Sequence, residues 1–457
     1  MPEILTSLRK PLPATVYSIV VFVIIIAASI LRIKLYGDPS LSIAGNDTIS
    51  YVEASHAPLL SAEFMTGRRL LTTNLVYKVF EPQSGYEILV NGSVDTSKRA
   101  FQPGFDKIVL FQLVLSLIGW GMLAWVVAEN LRNPWLKVIS VLFILAFAYT
   151  PQMADWDSIL MSESLTFSLF ALQLALLVKI AFILYRDPNT KTTGVVVIWG
   201  VVTFFWTFLR DTNLFTALMT IGMIAILFAS PLYRKNKTLV GAVIFLSLTF
   251  ALGFITSSIS VRSVVQLRNL YHDDVFPHTE RVEFFKEFGM PAYDTTEFDI
   301  WLEEKGSSTM MRFMLAHPGY PTLKIARDFQ YSFNEIKQTY FNARNLSPSR
   351  DILFSIGDAL HPGKHNPISD GSILLLSGLL LLARKNIGTS RPWAWLGVWL
   401  FLSSNLTLIP TILGDTWALN RHALYSTMIF RLAIWVFPIV LADIALAKEL
   451  TTPDHNL

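Results

Sequence analysis

The sequence contains no cysteine, which removes disulfides, thiol nucleophiles and thiolate metal sites together. Charge is scarce as well: 16% of the 457 residues are Asp, Glu, Lys or Arg, against about a quarter in soluble globular domains. A chain this short of charge cannot coat a water-facing surface, so a soluble enzyme is excluded. The charge present is nearly balanced, 37 Lys and Arg against 34 Asp and Glu, and no basic field marks a nucleic-acid partner. Gly/Ser linkers, low-complexity tracts and long repeats are absent too, which excludes disordered and fibrous chains. Helical metal-ligand sets are also missing. Five of the eight histidines (His272, His278, His317, His361, His365) fall in one stretch without an H-x-x-x-H or H-E-x-x-H pattern. They read as solvated loop histidines.

What remains is hydrophobic: 52% of the chain, gathered into apolar blocks with membrane-span spacing. Ten blocks read as spans: 15–31, 108–128, 136–149, 159–184, 194–209, 214–229, 239–259, 368–383, 393–413 and 424–446. The fold class expected is an all-α polytopic membrane protein with about ten transmembrane helices. The third and eighth blocks are short for a bilayer about 30 Å thick. The first block is long and lacks an A-x-A site, so it reads as a retained span rather than a cleaved signal.

Lys and Arg collect in alternate short loops, at Arg132 and Lys137, Arg186 and Lys191, Arg234 to Lys237, and Arg384 to Arg391. That bias predicts a multi-pass protein, of the bacterial inner-membrane type, with both termini in the cytoplasm. Two long segments, 32–107 and 260–367, then face the extracytoplasmic side. Amphipathic surface helices are expected near 281–288 and 309–315, lying as lids on the membrane. Three modules follow: 1–259 with a long first outer loop (32–107) and an acidic second one at 151–158; the 260–367 lid; and the spans of 368–457.

Candidate chemistry clusters at the outer ends. Asp47, in Gly45-Asn46-Asp47-Thr48-Ile49-Ser50-Tyr51, sits close enough to a span end for its carboxylate to take a proton from an acceptor hydroxyl. It equally suits the N-cap of a surface helix through Tyr51. Asp155 and Asp157 have the spacing and oxygen ligands for a divalent cation, or are simply solvated. Glu163 falls about a turn inside the fourth span, where an ionisable group is costly. Arg68, Arg69, Arg210, Arg421 and Arg431 offer planar forks that suit phosphate oxygens. For Arg210 and Arg431 the alternatives are snorkelling or a structural pair with Asp211 or Glu163.

The stretches Gly45–Tyr51, 67–80, 155–172 and 210–218 together resemble the GT-C-type integral-membrane glycosyltransferases. That superfamily includes protein O-mannosyltransferases, aminoarabinose transferases and the oligosaccharyltransferase catalytic subunit. The resemblance implies a sugar taken from a polyprenyl-phosphate-linked donor and passed to a glycan, lipid or protein acceptor at the extracytoplasmic face. It places Asp47 as the catalytic carboxylate and Asp155 and Asp157 as the acidic pair used for a metal in some branches. The chain departs from the pattern: Thr48 stands where mannosyltransferases have the Glu of an Asp-Glu pair, and the Trp-Trp-Asp signature is absent.

The expected reaction is an inverting transfer. Asp47 acts as base, Tyr51, Arg68, Arg69, Glu163, Arg210, Arg421 and Arg431 bind substrate, and a divalent cation at Asp155/Asp157 assists the leaving phosphate. Two alternatives make different predictions. An O-antigen-type polymerase or ligase would depend on the Arg and His residues of 260–367. A lipid-linked sugar flippase or transporter would carry charges along a mid-span path, whereas these spans are nearly charge-free away from their outer ends.

Overall fold

The computed structural model describes residues 14–59, 61–89, 92, 101–260, 262–334, 336, 338–340, 348–363 and 367–449. Among them the regular secondary structure is helical, apart from one isolated parallel bridge between Ile43 and Ile159. Each of the ten apolar blocks forms a helix. In order they are α1 (Ala14–Tyr36), α2 (Asp106–Asn130), α3 (Pro134–Tyr149), α4 (Glu163–Arg186), α5 (Thr193–Thr207), α6 (Asn213–Leu227), α7 (Lys237–Ser258), α8 (Pro367–Arg384), α9 (Ser390–Gly414) and α10 (Leu424–Glu449). By length and composition, however, six can cross a membrane: α1, α2, α4, α7, α9 and α10. A seventh crossing exists only if α3 is joined to the bent segment Pro151–Ser158. Helices α5 and α6, at 15 residues each, are about 22 Å long and fall short.

Local chemistry sets these limits. Asn133 caps α3 by accepting from the backbone N–H groups of Trp135 and Leu136, with Pro134 in the first turn. Pro151 then ends it: Thr150 is held extended, and the chain turns by 53° into Pro151–Ser158. Helix α4 lies at the centre, 78% of its apolar window buried, while α1 is peripheral at 17%. Close crossing of α2 and α4 depends on Gly119, where a Cβ would come within 2.4 Å of the Ser168 carbonyl oxygen. Small polar side chains join α9 to α10, as Ser404 donates to the Ser426 carbonyl (2.6 Å).

Several sequence expectations change here. Helix α1 runs to Tyr36 rather than ending at 31, so Arg32 lies within it, fully buried, instead of opening an outer loop. Asp155 and Asp157 are not solvated, because the bend after Pro151 folds that segment inward and buries it whole. Asp157 pairs with Arg32 and accepts from Ser164 (2.7 Å); Asp155 pairs with Arg350. A buried charge whose partner is removed costs about 3–5 kcal/mol. Asp157→Ala should therefore lower the melting temperature of the detergent-solubilised protein sharply, and Arg32→Met in the same chain should recover part of the loss. His361 is buried too: its Nε2 lies 2.8 Å from the Phe147 carbonyl oxygen and its ring packs on Phe147. His365 lies outside the described residues.

The segment that follows α7 forms a unit of its own. Its helices Val264–Leu270, Thr279–Glu287, Thr296–Trp301 and Ser307–Ala316 enclose their own apolar core, including Tyr271, Phe285, Phe298, Trp301 and Phe313. The helices expected near 281–288 and 309–315 are both present. The helix Gly319–Ser332 connects this unit to the bundle: buried Lys324 meets Asp274 (3.0 Å) and Asp328 (2.8 Å), and donates to the Asp415 carbonyl (3.2 Å).

Candidate functional site

Two backbone hydrogen bonds place the loop that carries Asp47. Ile43 N–H donates to the Ser158 carbonyl (2.8 Å), and Leu160 N–H donates back to the Ile43 carbonyl (2.9 Å). This clip lays the first loop against the segment entering α4. Thr48 Oγ1 reinforces it by donating to the Leu160 carbonyl (2.8 Å). Gly45 makes the approach sterically feasible, since a Cβ there would sit 2.4 Å from the Met161 sulfur and 3.0 Å from the Tyr340 ring. Asp47 and Glu163, distant in sequence, thereby reach the same end of the bundle.

Asp47 does occupy the N-cap position of the helix Thr48–Ser55, but its side chain makes no capping hydrogen bond. It faces two arginines instead. Arg69 Nη2 donates to Oδ1 (2.8 Å) and Arg421 Nη2 donates to Oδ2 (3.0 Å). Burial pushes the Asp47 carboxyl up, but the Arg69 and Arg421 guanidiniums together outweigh it and hold it below the usual carboxylate range. Arg69 is itself fixed: its guanidinium lies over the buried Tyr51 ring, 4.4 Å from the centroid, and Nε donates to Ser50 Oγ (2.7 Å).

Glu163 is the first residue of α4, not a turn within it; the four residues before it are non-helical. A helix N-terminus favours a carboxylate, which lowers the cost that suggested function at this position. Its setting keeps it of interest. Arg210 Nη2 donates to Glu163 Oε1 (3.2 Å), and Arg421 Nε lies 4.0 Å from the same oxygen. Glu163 Oε2, Arg210 Nε and Arg421 Nε are buried and have no protein hydrogen-bond partner. Buried polar atoms left unpaired are costly, and three in one cluster suit a polar ligand. Arg210 also donates to the His422 carbonyl (2.7 Å), and Asp211 turns away to Arg262 (3.0 Å).

Asp47, Tyr51, Arg69, Glu163, Arg210 and Arg421 thus come together. Three guanidiniums face two carboxylates, an excess of positive charge that matches an anion such as a phosphate diester. Arg68, next to Arg69, is exposed. Arg431 is not brought in: its guanidinium donates to the carbonyls of Pro362 (2.9 Å) and Phe333 (2.8 Å), tying those two backbone positions to α10. Asp155 and Asp157 do not converge on a common point but face different arginines. Among the described residues no group of three His, Cys, Asp or Glu is placed to hold a metal ion.

Tyr340, whose hydroxyl accepts from Arg421 Nη1 (2.7 Å), was missed by sequence reasoning. A lone tyrosine in a polar segment carries no signal. Asp415 was missed as well, although it directly follows a span, the same cue that singled out Asp47.

No protein-family model matches the chain. No curated protein matches it either. Among solved structures it is similar to the oligosaccharyltransferase of Archaeoglobus fulgidus in three states. The first is AglB with an inhibitory peptide and a dolichol-phosphate, at 11% identity and a TM-score of 0.47, covering 96% of this chain and 52% of that one. The second, with zinc and sulfate, scores 0.42 at 11% identity, covering 93% and 50%. The third, the apo form, scores 0.41 at 11% identity, covering 94% and 51%. The chain spans about half the length of these structures.

Proposed function

We propose that this protein is a membrane glycosyltransferase, moving a sugar from a polyprenyl-phosphate-linked donor to an acceptor hydroxyl at the extracytoplasmic face. The reading rests on one observation: Asp47, Glu163, Arg69, Arg210 and Arg421 converge at one end of an apolar helix bundle, with buried polar atoms among them unpaired. A lipid-linked phosphate needs an apolar surface for its tail beside cations for its headgroup, and that end supplies both. The outward orientation rests on the Lys/Arg bias of the short loops.

In the free protein Asp47 is bound by two arginines and is a poor base. Donor phosphate competes for those same guanidiniums, and as they turn to it the Asp47 carboxylate regains proton affinity. The acceptor hydroxyl then gives its proton to Asp47, and its oxygen attacks the anomeric carbon from the face opposite the phosphate. The bond from that carbon to the phosphate oxygen breaks, polyprenyl phosphate leaves with the electron pair, and the configuration inverts. Arg421 and Arg69 stabilise the charge that develops on the departing oxygen. Arg431, committed to backbone carbonyls, has no part in this step. Asp155 and Asp157, each neutralised by an arginine, are assigned to the fold.

The test is incubation of membranes holding the full chain with a panel of radiolabelled polyprenyl-phosphate hexoses, with and without EDTA. Label is expected to pass from the lipid to an acceptor fraction equally in both arms. Failure of every donor to release its label would sink the transferase reading, and loss of transfer with EDTA would restore a metal at the acidic pair.

A further inference from the structure

Beside the arginine cluster stands a carboxylate–imidazole pair that the transfer as described does not use. Asp415 is buried in the turn after α9, and His422 closes the short helix Leu419–His422 that precedes α10. His422 Nδ1 lies 2.5 Å from Asp415 Oδ2, and Nε2 lies 3.0 Å from Arg421 Nη2. A guanidinium can only donate. Nε2 must therefore accept, which puts the ring proton on Nδ1, directed at the carboxylate.

Asp415 is fixed in turn. Its Oδ1 accepts from the backbone N–H groups of Thr416 (2.7 Å) and Trp417 (3.0 Å), and its carbonyl accepts from buried Lys324 (3.2 Å). Ala418, next in the chain, is left-handed at φ 47°, a conformation alanine rarely adopts. That turn aims the Leu419–His422 helix so that Arg421 reaches the cluster, and such strain persists where the surroundings enforce it.

We propose that His422, its tautomer set by Asp415, is a positioning residue for Arg421. The inference rests on the transfer reading above and assigns to that site a part it lacked. Arg421 has three partners for its terminal nitrogens: Tyr340 on Nη1, Asp47 and His422 on Nη2. Donor phosphate takes the place of Asp47. Tyr340 and His422 are then the anchors that hold the plane of the fork. A neutral acceptor suits this role, because a second carboxylate would compete with the phosphate for the cation.

His422→Phe keeps the ring volume and removes the acceptor, whereas His422→Gln returns an oxygen near the position of Nε2. With a radiolabelled polyprenyl-phosphate hexose, His422→Phe should lower kcat about 10- to 100-fold, as expected for a displaced catalytic group, with the KM for acceptor unchanged. His422→Gln should recover most of it. In an Arg421→Ala background, His422→Phe should cost nothing more, since it acts through Arg421. Full kcat in His422→Phe, or an equal further loss without Arg421, overturns the proposal. A readout independent of transfer is ¹⁵N NMR of the histidine-labelled full chain in nanodiscs. His422 should be protonated on Nδ1, and Asp415→Asn should disturb that state. A ring protonated on Nε2 in the wild type overturns the proposal even if no donor is turned over, the outcome that would sink the transferase reading instead.

Discussion

Asp47→Asn is expected to cut transfer by about 10²- to 10⁴-fold, the range for loss of a positioned general base, without loss of folded protein. The fold should tolerate it because the side chain makes no cap bond, and the helix it precedes is held instead by Thr48 and the Ile43–Ile159 clip. The amide keeps an oxygen that can still accept from Arg69 or Arg421 but binds no proton at working pH. The pH profile separates a base from a mere arginine holder. In the free protein the two guanidiniums hold the carboxyl below its ordinary range. In the donor complex they are drawn to phosphate, so the carboxyl rises. The acid limb of kcat should therefore lie at higher pH than the acid limb of kcat/KM, because the first reports the complex and the second the free protein. Coincident limbs in the wild type, or full kcat in Asp47→Asn, would remove Asp47 from proton transfer. Melting curves of the two proteins in the same detergent supply the control for folding.

Much of this arrangement was legible from residue order, and the rest was not, for identifiable reasons. Apolar blocks bounded by charge give helices because each block is long enough to satisfy its own backbone hydrogen bonds, and all ten appear as helices. Whether a helix crosses depends on its final turns. There Pro151, the short lengths of α5 and α6, and the failure of α8 to qualify decide against a simple count of ten. The fate of the acidic pair was hidden by that same proline. Two aspartates in an eight-residue loop look solvated until the bend carries them inward to Arg32 and Arg350, one from α1 and the other nearly 200 positions later. Arg431 misled for the converse reason: a deep charge signals function only when its partner is a ligand or another charge. Here the partners are the backbone carbonyls of Phe333 and Pro362, which a sequence does not display. Asp47, Glu163 and Arg421 could be chosen from their places at span ends, but their convergence depends on Gly45 and a single bridge that no periodicity announces.

Arg421→Lys keeps the charge and is expected to lower kcat by about 10²-fold, comparable to removing a donor that stabilises a developing oxyanion. Arg421 has its fork spread over Tyr340, Asp47 and His422, with Nε 4.0 Å from Glu163. A lysine ammonium is one point with three rotatable donors on a longer flexible stem. It can satisfy Asp47 or Glu163, but it cannot hold a plane against Tyr340 and His422 while presenting two parallel N–H groups to a phosphate. Placed against Asp47, it remains a tight ion pair that the donor must break, so the KM for donor should rise as kcat falls. Arg69→Lys should be milder, because Arg69 meets Asp47 through one nitrogen and otherwise rests on Tyr51 and Ser50. The order of the two variants is therefore the decisive measurement. If Arg69→Lys costs more kcat than Arg421→Lys, the leaving phosphate is held at the Tyr51 side of the cluster, and Arg421 is its structural counterweight.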